Sequence, residues 1–285
     1  MNYIDTEIQS ISDFLSWVKE SHENDVIGVD EQIIGFENTH AYYRGQSCSC
    51  WNLKPTVLRD PSIDEHALLK KASLRLNNEI SSLNNYLEKM IFFQHYGLYT
   101  RLLDVTFNPL VALYVACCDE NRFECDGVVY CGHNTEYQNS SIAELTAKFV
   151  FENELQAVVF GFQNLLGLEE VDINSFTNPI FVLPPINNPR IEAQNGAFIL
   201  APLFDKAIDG NTASSYRNSL EDTGFFEEQR AIIKGDNKET ILQELSIVGV
   251  DSGSIYRGVE AKLKAIVAEE KYKSNRLKRI KIYNI

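Results

Sequence analysis

The run FFQHYGLYTRLLDVTFNPLVALYVACC, residues 92–118, is the most apolar stretch of this 285-residue chain, yet it holds His95, Arg101, Asp104 and Thr106. A polar group buried in such surroundings costs free energy unless it is paired, so any fold of this chain must supply partners here. The second half, NPLVALYVACC, predicts a helix with Asn108 at the N-cap and Pro109 at its first position. It is apolar all round and so should be a buried central helix. Arg101 and Asp104, three apart, read as a buried ion pair in a turn ahead of that helix, with Asp104 also favoured at its N-terminus. On that reading, truncating Asp104 strands Arg101 at a cost of roughly 3–5 kcal/mol. His95 falls near the end of a preceding helix, where a structural and a catalytic role both fit.

The other elements follow from pattern. SISDFLSWVKES begins a helix, with Ser10 and Asp13 at capping-box spacing. PSIDEHALLKKASLRLNNEISSLNNYLEKMIFF reads as one long amphipathic helix, capped by Ser62 and Glu65, whose stripe Ala72, Leu76, Ile80, Leu83, Leu87 and Ile91 is core. Gly97 would stop it. HAYYRG, DGVVYCG, PIFVLP, GAFILAP, RAIIKG and the terminal LKRIKIYNI are strand candidates. KETILQELSIVG and SIYRGVEAKLKAIVAEEKY are helices between the last of them. The expected class is α+β: a mixed sheet packed against a long amphipathic helix and a buried central helix.

The formal net charge of −14 disfavours general binding to nucleic acid or anionic membranes. The basic end, KYKSNRLKRIKIYNI, reads as a solvated strand rather than a nucleic-acid arm. With no leader-like N-terminus and no apolar run long enough to span a bilayer, the expected location is cytoplasmic. The six cysteines, at 48, 50, 117, 118, 125 and 131, lack zinc-site spacing. They are expected to be reduced, and no metal is expected. A Walker loop, a G-x-S-x-G elbow and an H-E-x-x-H motif are missing, which weakens the case for kinases, esterases and zinc proteases.

Four polar clusters interrupt apolar sequence: Tyr43-Arg44-Gly45-Gln46; Gln94-His95-Tyr96-Gly97; Thr100-Arg101 through Asp104 with Thr106; and Arg190 with Gln194-Asn195-Gly196. An arginine at a strand end can offer its planar fork to a phosphate or carboxylate, while a neighbouring glycine lets a ligand approach the backbone. The blocks YYRGQSCSCWNLKPTVLR, QHYGLYTRLLDVTFNPLVALYVAC and RIEAQNGAFIL, in that order, resemble the three signature blocks of the FRG domain family. The family's name-giving Phe-Arg-Gly is here Tyr43-Arg44-Gly45, and its usual proline before the threonine is here Tyr99. The resemblance takes residues 36–203 as an FRG-like core, with 1–35 and 204–285 as flanking elements of the same globular unit. It implies a bacterial setting and a role in phage defence or toxicity.

The early strand with its arginine is also similar to the start of ADP-ribosyltransferase folds. That likeness implies a late glutamate, for which Glu228, beside Glu227, is the first choice and Glu192 the second. Two readings stay open. In one, an enzyme consumes NAD or transfers ADP-ribose: Arg44 holds phosphate, His95 orients ribose or acts as acid/base, and Glu228 stabilises positive charge. In the other, a non-catalytic module senses a small anionic ligand or a protein partner. In both, Tyr43, Gly45, Gln46, Thr100, Arg101 and Gln194 line the pocket and Asp104 and Thr106 brace it. Arg44, His95, Arg101 and Gln194 are expected to converge.

Overall fold

The computed structural model describes residues 3–26, 40–134, 141–152, 176–184, 189–205 and 215–256. The expected terminal strand and most of the last expected helix lie outside these residues.

A single seven-stranded mixed sheet organises the chain, in the order β1-β7-β4-β2-β3-β6-β5. Its strands are β1 (Ile4–Ile8), β2 (His40–Gln46), β3 (Leu102–Thr106), β4 (Gly127–Asn134), β5 (Ile180–Val182), β6 (Gly196–Leu200) and β7 (Gln229–Ile233). Only β1 and β7 pair in parallel; every other neighbouring pair is antiparallel. The α+β class with a mixed sheet is the observed one.

The helices are α1 (Ile11–Val26), α2 (Thr56–Arg59), α3 (Glu65–Arg75), α4 (Asn77–Ile80), α5 (Tyr86–His95), α6 (Pro109–Cys117), α7 (Ser141–Glu152), α8 (Pro189–Gln194), α9 (Lys238–Ile247) and α10 (Ser252–Ile255). The single long helix expected over 61–93 is instead three, α3, α4 and α5. Its cap is Asp64, whose Oδ1 accepts the Ala67 N–H at 3.0 Å, rather than Ser62. A second cap, Asn85, restarts the helix by accepting the Glu88 N–H at 2.8 Å. Ser and Asn compete locally for backbone groups, which is why SSLNN interrupts an otherwise helical period. The apolar stripe survives the breaks, with all six of its residues in or against one core cluster.

Strand alternation sends Tyr42 to one face of the sheet and Tyr43 to the other. Both are buried because both faces are covered. On Tyr42's face one core, including Val128, Tyr130, Leu103 and Ile199, runs under β4, β2, β3 and β6 without a break. On Tyr43's face there are two cores. One joins α1, α6 and α9 to β1, β7, β4 and β2; the other joins α3, α5 and α7 to β3, β6 and β5.

The central helix α6 forms as expected. Asn108 Oδ1 accepts the Leu110 N–H at 3.0 Å with Pro109 next in line, and no residue of the helix is exposed. It lies so close on β2 that a Cβ at Gly45 would stand 2.0 Å from the Ala112 carbonyl oxygen and 3.0 Å from the Ala116 nitrogen. Gly45 thus serves helix packing, and the space its side chain would take is not open to a ligand.

Cys48 and Cys50 are joined by a disulfide, contrary to the expectation of reduced cysteines throughout. A turn in which the Trp51 N–H donates to the Cys48 carbonyl brings their Cα atoms to 5.3 Å, within disulfide range. The other four are free thiols. Burial pushes Cys117 up to about 12 and Cys118 up to about 11. Since the thiolate is the reactive form, both should resist iodoacetamide at pH 8 in the folded protein and react once it is unfolded in urea. Mass spectrometry of the alkylated chain reads this directly; rapid labelling of Cys117 under native conditions would show the core to be open.

Candidate functional site

The sheet is nearly divided between β2 and β3. Seven register pairs join β2 to β4, from His40↔Asn134 to Gln46↔Val128, whereas Tyr43↔Thr106 alone joins β2 to β3. Past that pair the two strands part. The gap is bridged by a side chain: Arg44 Nη1 donates to the Asp104 carbonyl oxygen at 2.9 Å, where a ladder hydrogen bond would otherwise stand. The same nitrogen lies 3.8 Å from Asp104 Oδ2. Arg44 Nε is buried and has no hydrogen-bond partner.

A relay ties this bridge to the end of α5. Gln94 Nε2 donates to Asp104 Oδ2 at 2.9 Å, and Thr100 Oγ1 donates to Gln94 Oε1 at 2.8 Å. The Thr100 hydroxyl in turn accepts the Leu102 N–H at 3.2 Å. Gln94 is thus a residue of α5 that reaches Asp104. His95 is half-buried, its ring edge-on to Tyr96 at 5.0 Å. Gly97 ends the helix in the left-handed region, at φ 87°.

A second guanidinium approaches from the end of α2. Arg59 lies within electrostatic reach of both Arg44 and Asp104. Burial lowers the pKa of Arg44, Asp104 opposes that, and Arg59 adds to it. Burial of its guanidinium lowers Arg59 as well, though much of the residue's surface stays exposed. Arg59 Nε donates to the Lys54 carbonyl at 2.9 Å. The sequence pattern placed Gln94 in a polar cluster but gave it no role, and it did not single out Arg59; Arg59's signal is its place at the end of a short helix whose Val57 and Leu58 share a core with Tyr42 of β2.

The expected Arg101–Asp104 ion pair does not form. Residues 102–106 are a strand, not a turn, so the two side chains do not meet. Asp104 is 59% exposed and pairs with Arg44. Arg101, 6% exposed, is held by Glu65 instead. Its Nε lies 3.0 Å from Glu65 Oε2 and its Nη2 2.6 Å from the same oxygen, while Nη1 donates to the Pro202 carbonyl at 2.9 Å. This pair borders a pocket of about 260 Å³ with Leu58, His66, Tyr216 and Arg217. Arg44, His95 and Gln194 do not line it.

Extended backbone also separates the other expected members. Thr106, at the far end of β3, donates to the Gln194 carbonyl at 2.5 Å and accepts the Asn108 N–H at 3.0 Å, so it braces α6 against α8. At about 3.3 Å per residue, Thr106 and Arg101 are some 16 Å apart along the strand. Arg101 and Gln194 therefore mark opposite ends of β3 and do not converge. Asn195 takes the left-handed conformation (φ 48°), and Gly196 begins β6. The side chain of Arg190 is outside the described residues.

Tyr43 is 1% exposed within the core under α6. Gln46, on the same face of β2 as Arg44, is 2% exposed, and neither its amide nitrogen nor its oxygen has a partner. Glu228 is exposed just ahead of β7, its carbonyl accepting the Ile4 N–H at 2.9 Å. With β4 between β7 and β2, it stands about 10 Å across the sheet from Arg44's strand. Glu227 is turned to His133, 3.3 Å away, and Glu192 is exposed on α8. Among the described residues no group of three or more His, Cys, Asp or Glu is placed to hold a metal, and no helix is long and apolar enough to cross a membrane.

The structure thus defines an α+β domain whose central sheet is bridged at a seam by the arginine of an aromatic-Arg-Gly triplet. Residues 39–125, which carry β2, the bridge, β3 and α6, match the family model of the FRG domain, and the chain carries an FRG domain over that span. The third sequence block, around Gln194, falls outside the match. No curated protein and no solved structure matches the chain.

Proposed function

We propose that this FRG-domain protein is a ligand-sensing module that binds a small anion at the seam between β2 and β3, through Arg44 and Arg59. One observation carries the reading: the buried Arg44 guanidinium, its Nε without a partner, faces a single, largely exposed carboxylate at 3.8 Å, and Arg59 lies within electrostatic reach of both. Two positive charges against one negative leave an excess of one, with the buried Arg44 carrying its share, in a chain whose net charge is −14. A charge kept so is costly until an anion arrives. Arginine's planar fork suits phosphate or carboxylate.

Binding is favoured over NAD cleavage or ADP-ribosyl transfer because the glutamate drawn for that chemistry, Glu228, stands two strands from Arg44. In the bacterial defence or toxin setting that the family resemblance implies, such a module supplies the sensing step.

Calorimetric titration with inorganic pyrophosphate tests this. Wild type should bind saturably, and Arg44→Ala and Arg59→Ala should each weaken binding by about tenfold or more, since each removes one charge-assisted partner worth roughly 1.5–3 kcal/mol. Asp104→Asn should tighten it, because the competing carboxylate is gone. Equal binding by wild type and the double arginine variant, or no binding at all, would sink the reading.

A further inference from the structure

We infer that the ligand of the seam carries, beside its anion, a planar donor–acceptor edge of the kind found on a nucleobase or carboxamide, and that Gln46 reads it. The inference rests on the anion reading above and adds the ligand's class: a nucleotide rather than a simple phosphate or carboxylate. Gln46 is 2% exposed, yet both polar atoms of its side chain lack partners. An unmet amide group in the interior costs about 1–3 kcal/mol, so a fold does not keep one without compensation. The side chain offers one N–H donor pair and one acceptor in a single plane. The group that satisfies both at once is an adjacent acceptor and N–H donor, which every nucleobase presents on an edge.

Position links the two demands. Gln46 and Arg44 are alternate residues of β2, so their side chains leave the same face about 6.5–7 Å apart at the backbone. Both sit where β2 has parted from β3, beyond the lone Tyr43↔Thr106 pair. Arg44 Nε is also buried and unpartnered, and Arg59 lies within electrostatic reach of Arg44. Entry requires the seam to widen. The anion does this by taking Arg44 from Asp104, whose carboxylate is 3.8 Å from Nη1 and 59% exposed, so little is lost on release. The base edge then reaches the amide that the closed seam covers.

The test compares AMP, GMP, CMP and UMP with ribose 5-phosphate by calorimetry, on wild type and Gln46→Met. Wild type should bind at least one nucleotide tenfold or more tightly than ribose 5-phosphate. Gln46→Met, which keeps the volume and removes the unmet amide, should fold with an equal or higher Tm. It should bind ribose 5-phosphate as wild type does and lose the preference. Should that variant not fold, the Gln46 side-chain amide resonances of wild type decide, shifting with the preferred nucleotide and not with ribose 5-phosphate. Equal affinity of wild type for all five compounds, a preference retained in Gln46→Met, or unmoved amide resonances would overturn the inference while leaving the anion reading intact. Failure of wild type to bind pyrophosphate would overturn the anion reading itself, and this one with it.

Discussion

Glu65→Ala should destabilise the protein by roughly 3–5 kcal/mol, whereas Asp104→Ala should change stability by no more than about 1 kcal/mol. Arg101 is buried, and Glu65 is its sole charged partner among the described residues, meeting both Nε and Nη2. Glu65 Oε1 also accepts the Arg101 backbone N–H at 3.1 Å, so truncation orphans a main-chain donor as well. The Pro202 carbonyl cannot neutralise the charge left behind. Asp104, by contrast, holds Arg44 at 3.8 Å from an exposed position, and exposed pairs are worth little. Urea denaturation of the two variants gives the comparison. A larger loss for Asp104→Ala than for Glu65→Ala would mean that Arg101 is paired as the sequence spacing alone implied.

Gly45→Ala should cost about 3 kcal/mol, the upper end of what overpacking usually exacts. The new methyl would meet the Ala112 carbonyl at 2.0 Å, and the obstacle is helix backbone rather than a side chain that can swing aside. Relief demands that α6 lift off β2, opening the core that contains Ala112, Ala116 and Tyr43. Gly97→Ala makes the control. There a Cβ meets nothing within 4 Å, and the cost is only that of holding an alanine at φ 87°, about 1–2 kcal/mol. Thermal and urea unfolding of both variants separates the two roles of glycine. A Gly45→Ala protein as stable as wild type would show that α6 does not rest on the strand.

These two residues show where the sequence could be read and where it could not. The helix α6 was legible because cap, proline and apolar content all agree over eleven residues. So were β2, β4, β6 and β7, as β-branched and aromatic runs between turn residues. The short β3 was not. LLDVT has one charged residue in five and follows immediately on Thr100-Arg101, so its polar groups suggested a turn. Reading a strand as a turn folds 16 Å of chain into a knot, and from that single error came both the Arg101–Asp104 pair and the expected convergence of Arg101 with Gln194. The true partner of Arg101 is 36 residues upstream, and spacing along the chain carries no information about it. In the site, Arg44 and Gln46 could be picked out as polar residues on an otherwise core strand. Arg59 could not, and Gln94 could be picked out but not assigned its bond to Asp104, because both depend on what their helices are packed against.

The single register pair between β2 and β3 has one more consequence. On Tyr42's side the core is continuous across the seam, while on the other side it is two bodies. That is the build of a book: a spine along one face and two covers that meet on the other, one bearing β1, β7, β4 and β2, the other β3, β6 and β5. Backbone hydrogen bonds resist opening within each cover and scarcely across the crease, so the crease is where cooperative units of exchange should divide. Arg44, leaving Tyr42's face, is a stitch beside the spine, and whatever draws its guanidinium away from Asp104 acts where a single register pair joins the two covers.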